Sequence, residues 1–145
     1  MDRRMLRRTT VALAVSASAL LLLAACNPGT SPVEDYAGEP EEYDQASPDA
    51  DELGMQAAWL EEGTKLAVTL WGSSSCPWVG TDIAVTAEAG EGNAVSIEIP
   101  PLPDNVACTM DYAPHTTVFW TPTYVTTTEP LEVTALEQSV TLPPK

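Results

Sequence analysis

Of the three cysteines in this chain, only Cys76 and Cys108 remain to cross-link a fold, because the first closes a leader peptide. Arg3, Arg4, Arg7 and Arg8 precede an apolar run from Val11 to Leu23 that ends in Leu23-Ala24-Ala25-Cys26. The run falls short of the roughly 20 residues a bilayer-spanning helix needs, is diluted by Ser16 and Ser18, and meets a small-residue cleavage site. This is the pattern of a signal peptide closing on a lipobox. Residues 1–25 are expected to be removed and Cys26 to be acylated, anchoring the protein to the extracytoplasmic face of the cell membrane. Arg3-Arg4-Met5-Leu6 fits a twin-arginine signal and an ordinary secretory one equally. By either route the chain reaches an oxidising compartment, where Cys76 and Cys108 are expected to pair. Closing that loop of roughly 33 residues contributes about 3 to 4 kcal/mol in the chain-entropy view.

Taking 25 residues from 145 leaves 120, with Lys65 and Lys145 as the only cations against 20 acids, a side-chain balance of −18. Such a chain cannot neutralise phosphates, so nucleic acid is excluded as a partner. Anionic headgroups are excluded for the same reason, which leaves the lipid on Cys26 as the membrane attachment.

Residues 26–52 carry nine acids and four prolines, with almost no aliphatic side chain beyond Val33. Composition of this kind predicts a disordered tether. Glu41-Glu42-Tyr43-Asp44 lacks the alternating acids and glycine of a calcium loop. Residues 53–145 read as one domain. Gln56 to Leu60 and Lys65 to Trp71 form a hairpin about Glu61-Glu62-Gly63, with Leu66, Val68 and Leu70 on one face and Ala67, Thr69 and Trp71 on the other. Ile83, Val85 and Ala87 repeat the spacing of two, as do Val95, Ile97 and Ile99 after the turn at Gly90-Glu91-Gly92-Asn93. Thr116 to Thr121, Leu131 to Ala135, and Val140 with Leu142 complete about seven short strands. The fold expected is all-β, an immunoglobulin-like two-sheet sandwich, with a small barrel as the alternative. Cys76 and Cys108 lie at strand ends, so the likeness to immunoglobulin domains is one of architecture.

Ser73-Ser74-Ser75, His115 and Asp111 offer the residue types of a Ser-His-Asp site. There is no Gly-x-Ser-x-Gly elbow, however, and small hydroxyls after Gly72 suit a tight turn. Cys108, Met110 and His115 resemble a copper loop but lack a second imidazole. Zinc has too few ligands. No catalytic residue, cofactor or metal is expected. Among the aromatics two readings stand: rings that fill the core and its ends, or an exposed patch of Trp78, Tyr112 and Trp120 near the disulfide, with Trp71 and His115 beside it.

Trp59-Leu60-Glu61-Glu62-Gly63, the segment Leu66 to Pro77 ending GSSSCP, and Ala107 to Thr117 with its ACTxDxxP pattern together resemble small exported lipoproteins of actinobacteria. The resemblance implies the same two-cysteine β-domain and assigns no catalytic or binding residue. The expected function is a lipid-anchored binding or envelope-associated module whose partner is an envelope protein or a glycan. A glycan-binding domain is the alternative, and a hydrolase a more distant one.

Overall fold

A computed structural model describes residues 28–47 and 54–145. The leader, the lipobox Cys26 and residues 48–53 lie outside the described residues. Among the described residues there are nine strands: β1 (Glu34–Ala37), β2 (Gln45–Ala46), β3 (Met55–Leu60), β4 (Lys65–Gly72), β5 (Asp82–Ala87), β6 (Ala94–Glu98), β7 (Ala113–Trp120), β8 (Leu131–Ala135) and β9 (Gln138–Leu142). They form a five-stranded sheet, β1-β7-β4-β3-β2, and a four-stranded sheet, β5-β6-β8-β9. The fold is all-β, an open two-sheet sandwich consistent with the immunoglobulin-like expectation. All pairings are antiparallel except β6 with β8.

Alternation explains the layers. Met55, Ala57 and Trp59 of β3, Leu66, Val68 and Leu70 of β4, and Phe119 of β7 face the second sheet. Ile83, Val95, Ile97, Leu131, Val133, Val140 and Leu142 meet them from the other side. The β3–β4 hairpin turns through Glu61, Glu62 and Gly63, all at positive φ. A Cβ at Gly63 would lie 2.6 Å from Thr127 Cγ2, so only glycine fits there. At the far edge of the core, the buried Trp59 donates from Nε1 to the carbonyl of Pro143 at 3.2 Å, tying the tail after β9 to β3.

The described part of the expected tether is ordered, which corrects the disordered reading for residues 28–47. β1 takes the free edge of β7, from Glu34 opposite Val118 to Ala37 opposite His115, and β2 takes the edge of β3. Composition missed this because main-chain pairing does not depend on side-chain hydrophobicity. The sheet also offers a small apolar patch on its outer face, Ala58, Ala67 and Val118, against which Val33, Tyr36 and Ala46 pack. Because β1 and β2 lie at opposite edges, residues 38–44 must cross about 19 Å of sheet at ~4.8 Å per strand. The second sheet fills the inner face, so the crossing runs over the outer one, where Thr69 and Thr116 are also buried. Upstream, the Ile83 amide donates to the Thr30 carbonyl at 3.0 Å, so the arm also closes the gap between the two sheets.

Strand β7 begins earlier than the sequence suggests and includes Pro114. Gly38 donates its amide to the Pro114 carbonyl at 2.9 Å, and Pro114 has no N–H to return. The Gly38 carbonyl instead accepts from Thr116 Oγ1 at 2.7 Å. A side chain thus completes the ladder that proline interrupts.

Candidate functional site

Strand β4 runs out at Gly72, where a Cβ would stand 2.9 Å from Trp78 Cδ1. The glycine lets the indole lie across the strand end and join the core. Between them Ser73 to Cys76 turn back on themselves, the Cys76 amide donating to the Ser73 carbonyl at 3.3 Å. Cys76 is bonded to Cys108 with a Cα–Cα separation of 5.5 Å, so the expected clasp is present. It joins the end of β4 to the loop 99–112, which carries the chain from β6 in one sheet to β7 in the other.

Around the disulfide the three serines meet Thr109 and Asp111. Thr109 donates its amide to Ser75 Oγ at 2.9 Å, and its hydroxyl lies 2.8 Å from Ser73 Oγ. The Ser74 amide donates to Asp111 Oδ1 at 3.1 Å, and the Thr109 hydroxyl donates to the same oxygen. Hydrogen bonds from the Ser74 hydroxyl, the Thr109 hydroxyl and the Ser74 amide, in that order, lower the Asp111 carboxyl to about 2. It is therefore an anion and a permanent acceptor near neutral pH.

Above this base the loop is open to solvent. Residues 103–112 are all exposed, and among them Met110 is 103 % exposed, Tyr112 63 % and Val106 50 %. Neither the amide nor the carbonyl of Met110 has a hydrogen-bond partner among the described residues. The residues on both sides of Met110 are fixed while Met110 itself is bare.

The expected aromatic patch is only partly assembled. Tyr112 is exposed near the disulfide, with its phenol oxygen 2.8 Å from where a Gly54 Cβ would stand. Trp71 and Trp78 are at this end but half-buried. Trp120 is not part of the patch: it closes the opposite end of β7, about 23 Å from Ala113 at ~3.3 Å per residue. There the Lys65 ammonium sits 5.2 Å above its ring. The even spacing along β7 conceals this, because a strand carries its first and last residues to opposite ends of the sandwich. Phe119 is fully buried in the main core, while its neighbour Val118 points to the opposite face and lies under the N-terminal arm.

His115 also belongs elsewhere. Its Nε2 lies 3.2 Å from Asp35 Oδ1 on β1, so the imidazole braces the arm instead of facing the serines. Asp111 is likewise engaged by Ser74 and Thr109 and not by the imidazole. Cys108, spent in the disulfide, offers no thiolate for copper. Met110, weighed from sequence only as a metal ligand, is the most exposed apolar side chain of the site. The signal that could have singled it out is its position two residues from a bonded cysteine and between two residues with capping side chains, Thr109 and Asp111.

No protein-family model, curated protein or solved structure matches this chain.

Proposed function

We propose that this protein is a lipid-anchored, extracytoplasmic binding module of the exported-lipoprotein kind, and that the loop 102–112 is its contact surface. The observation that carries the reading is the contrast within that loop. Its base is fixed by the Cys76–Cys108 bond and the hydrogen bonds of Thr109 and Asp111, while Val106, Met110 and Tyr112 stand in water. Apolar side chains held in solvent on an immobilised loop lose little conformational entropy when they are covered. The whole connection from β6 to β7, residues 99–112, runs 14 residues without a strand or helix of its own, a length at which loops in compact domains are commonly functional. A glycan platform would draw on several open rings, and at this end Tyr112 is the one open ring among the described residues, so a protein partner is the better fit.

The anchor and the surface are tested together by placing a photoreactive residue at 110 in the membrane-bound protein, with the exposed Thr141 of β9 as the control position. A discrete protein adduct from 110 and none from 141 is expected. Equal labelling from both positions, or none from 110, contradicts the assignment of this surface. Mass spectrometry of the same preparation is expected to show acylated Cys26 and no residues 1–25.

A further inference from the structure

We infer that the segment Cys108 to Tyr112 is a substrate-like inhibitory loop, which seats Met110 in the apolar primary pocket of an extracellular serine endopeptidase. This rests on the binding role proposed above and names the class of its partner. Three observations point to a cleft instead of a flat surface. First, one side chain dominates: Met110 is fully exposed and unbranched, the shape that enters a single deep pocket. Second, the main chain of Met110 has no partner among the described residues, so its amide and carbonyl are open to the edge strand that lines such a cleft. Third, the supports lie on both sides of it. Cys108 is covalently held, Thr109 donates to Ser75, and Asp111 is held by the Ser74 amide before the chain enters β7.

The last feature separates an inhibitor from a substrate. Addition of water across the Met110–Asp111 peptide bond would leave a carboxylate on Met110 and an amine on Asp111. In an ordinary loop the two new ends would drift apart and the products would leave. Here Cys108 stays bonded to Cys76, and Asp111 stays hydrogen-bonded to Ser74 and Thr109. The ends would remain in place, so re-formation of the bond with loss of water competes with release. Rigid loops of this sort are held in the cleft because little freedom is lost on entry.

The test uses the whole mature protein in detergent, with chymotrypsin and subtilisin as endopeptidases with apolar primary pockets and trypsin as one with an acidic pocket. Wild-type protein is expected to slow hydrolysis of a small chromogenic peptide by one or both of the first two, and to leave trypsin unaffected. Met110→Gly should weaken that inhibition about 30-fold or more, the loss of one dominant contact. Met110→Lys should transfer inhibition to trypsin. Because the Met110 side chain is fully exposed, neither variant should change the melting temperature. Rapid cleavage after Met110 without inhibition, or a folded Met110→Lys protein that does not inhibit trypsin, would overturn the inference. If residue 110 still captures a membrane-associated partner under those results, the inhibitor is refuted and the binding surface stands. If both fail, the surface itself is wrong.

Discussion

Asn93 is a buried polar hub that ties the turn before β6 to the segment 126–130. It is 1 % exposed, and its carboxamide donates to the carbonyls of Thr126, Glu129 and Pro130 while accepting from the Thr126 amide. Its own backbone sits at φ 46, a conformation asparagine tolerates better than most residues. Replacing it with leucine would strand those partners, and Asn93→Leu is expected to cost about 3 kcal/mol or more. Urea unfolding should show a lower midpoint with an unchanged slope. The turn at Gly90 to Asn93 was legible from its residues, whereas the role of the asparagine was not, because its partners lie more than 30 positions away in the sequence. Asp111 links the stability of the disulfide loop to pH. Its carboxyl falls from an ordinary value near 3.8 to about 2, so the stability it adds is complete above about pH 4 and is lost as the pH falls towards 2. The neutral Asp111→Asn variant lacks that contribution. The gap in unfolding midpoint between the two proteins should be constant above pH 5 and shrink towards zero near pH 2. A gap that widens in acid would contradict the hydrogen-bonded anion.

The strands from β3 to β9 follow from a period of two, and the sequence revealed them because each has a buried aliphatic face. What it concealed is β1 and β2, whose side chains are mostly acidic or small and whose order comes from the edges of β7 and β3. Local composition reports the capacity of a segment to build a core, not its capacity to complete someone else's ladder. The buried outer face supplies the rest of the explanation, since Ala58, Ala67, Thr69 and Thr116 read as a solvent face until something covers them. Tyr36 shows the cover at work: burial, reinforced by the Glu34 carboxylate, pushes its phenol up. Deleting residues 28–47 is therefore expected to lower the melting temperature by roughly 10 °C or more, a loss of a few kcal/mol in a domain this size. Tyr36→Ala alone should give a smaller drop in the same direction. A deletion that melts within a degree of the whole chain would mean the arm does not hold the sheet.

Taken together, an acidic sandwich is closed at its sides by the arm 28–47 and the tail after β9, and at one end by the disulfide. The two lysines of the described residues are spent on structure. Lys65 pairs with Glu61 at 2.7 Å and Glu34 at 3.5 Å, and Lys145 pairs with Glu62. The pairing of Cys76 with Cys108 was legible from the number of thiols and the oxidising compartment that the leader implies, and the two segments it joins could be named from sequence. Which residues then stand in solvent could not, because alternation assigns faces within a strand and says nothing of loops or strand ends. Trp120 was displaced and Met110 overlooked for that reason. Replacing both cysteines by serine should cost about 2 to 5 kcal/mol, checked by urea unfolding of the double variant.

The loop 102–112 is held as a fixed surface and not left as a mobile connection. Amide hydrogen exchange on the intact protein, with the disulfide in place and after reduction, is the sharpest check. With the disulfide intact, the Ser74 and Thr109 amides, which donate to Asp111 and Ser75, should exchange far more slowly than in an unstructured peptide, while the bare amide of Met110 exchanges fast. Reduction should remove the protection at Ser74 and Thr109 and leave that of β3 and β4 in place. Amides at Ser74 and Thr109 that exchange at unstructured rates with the disulfide intact would contradict it.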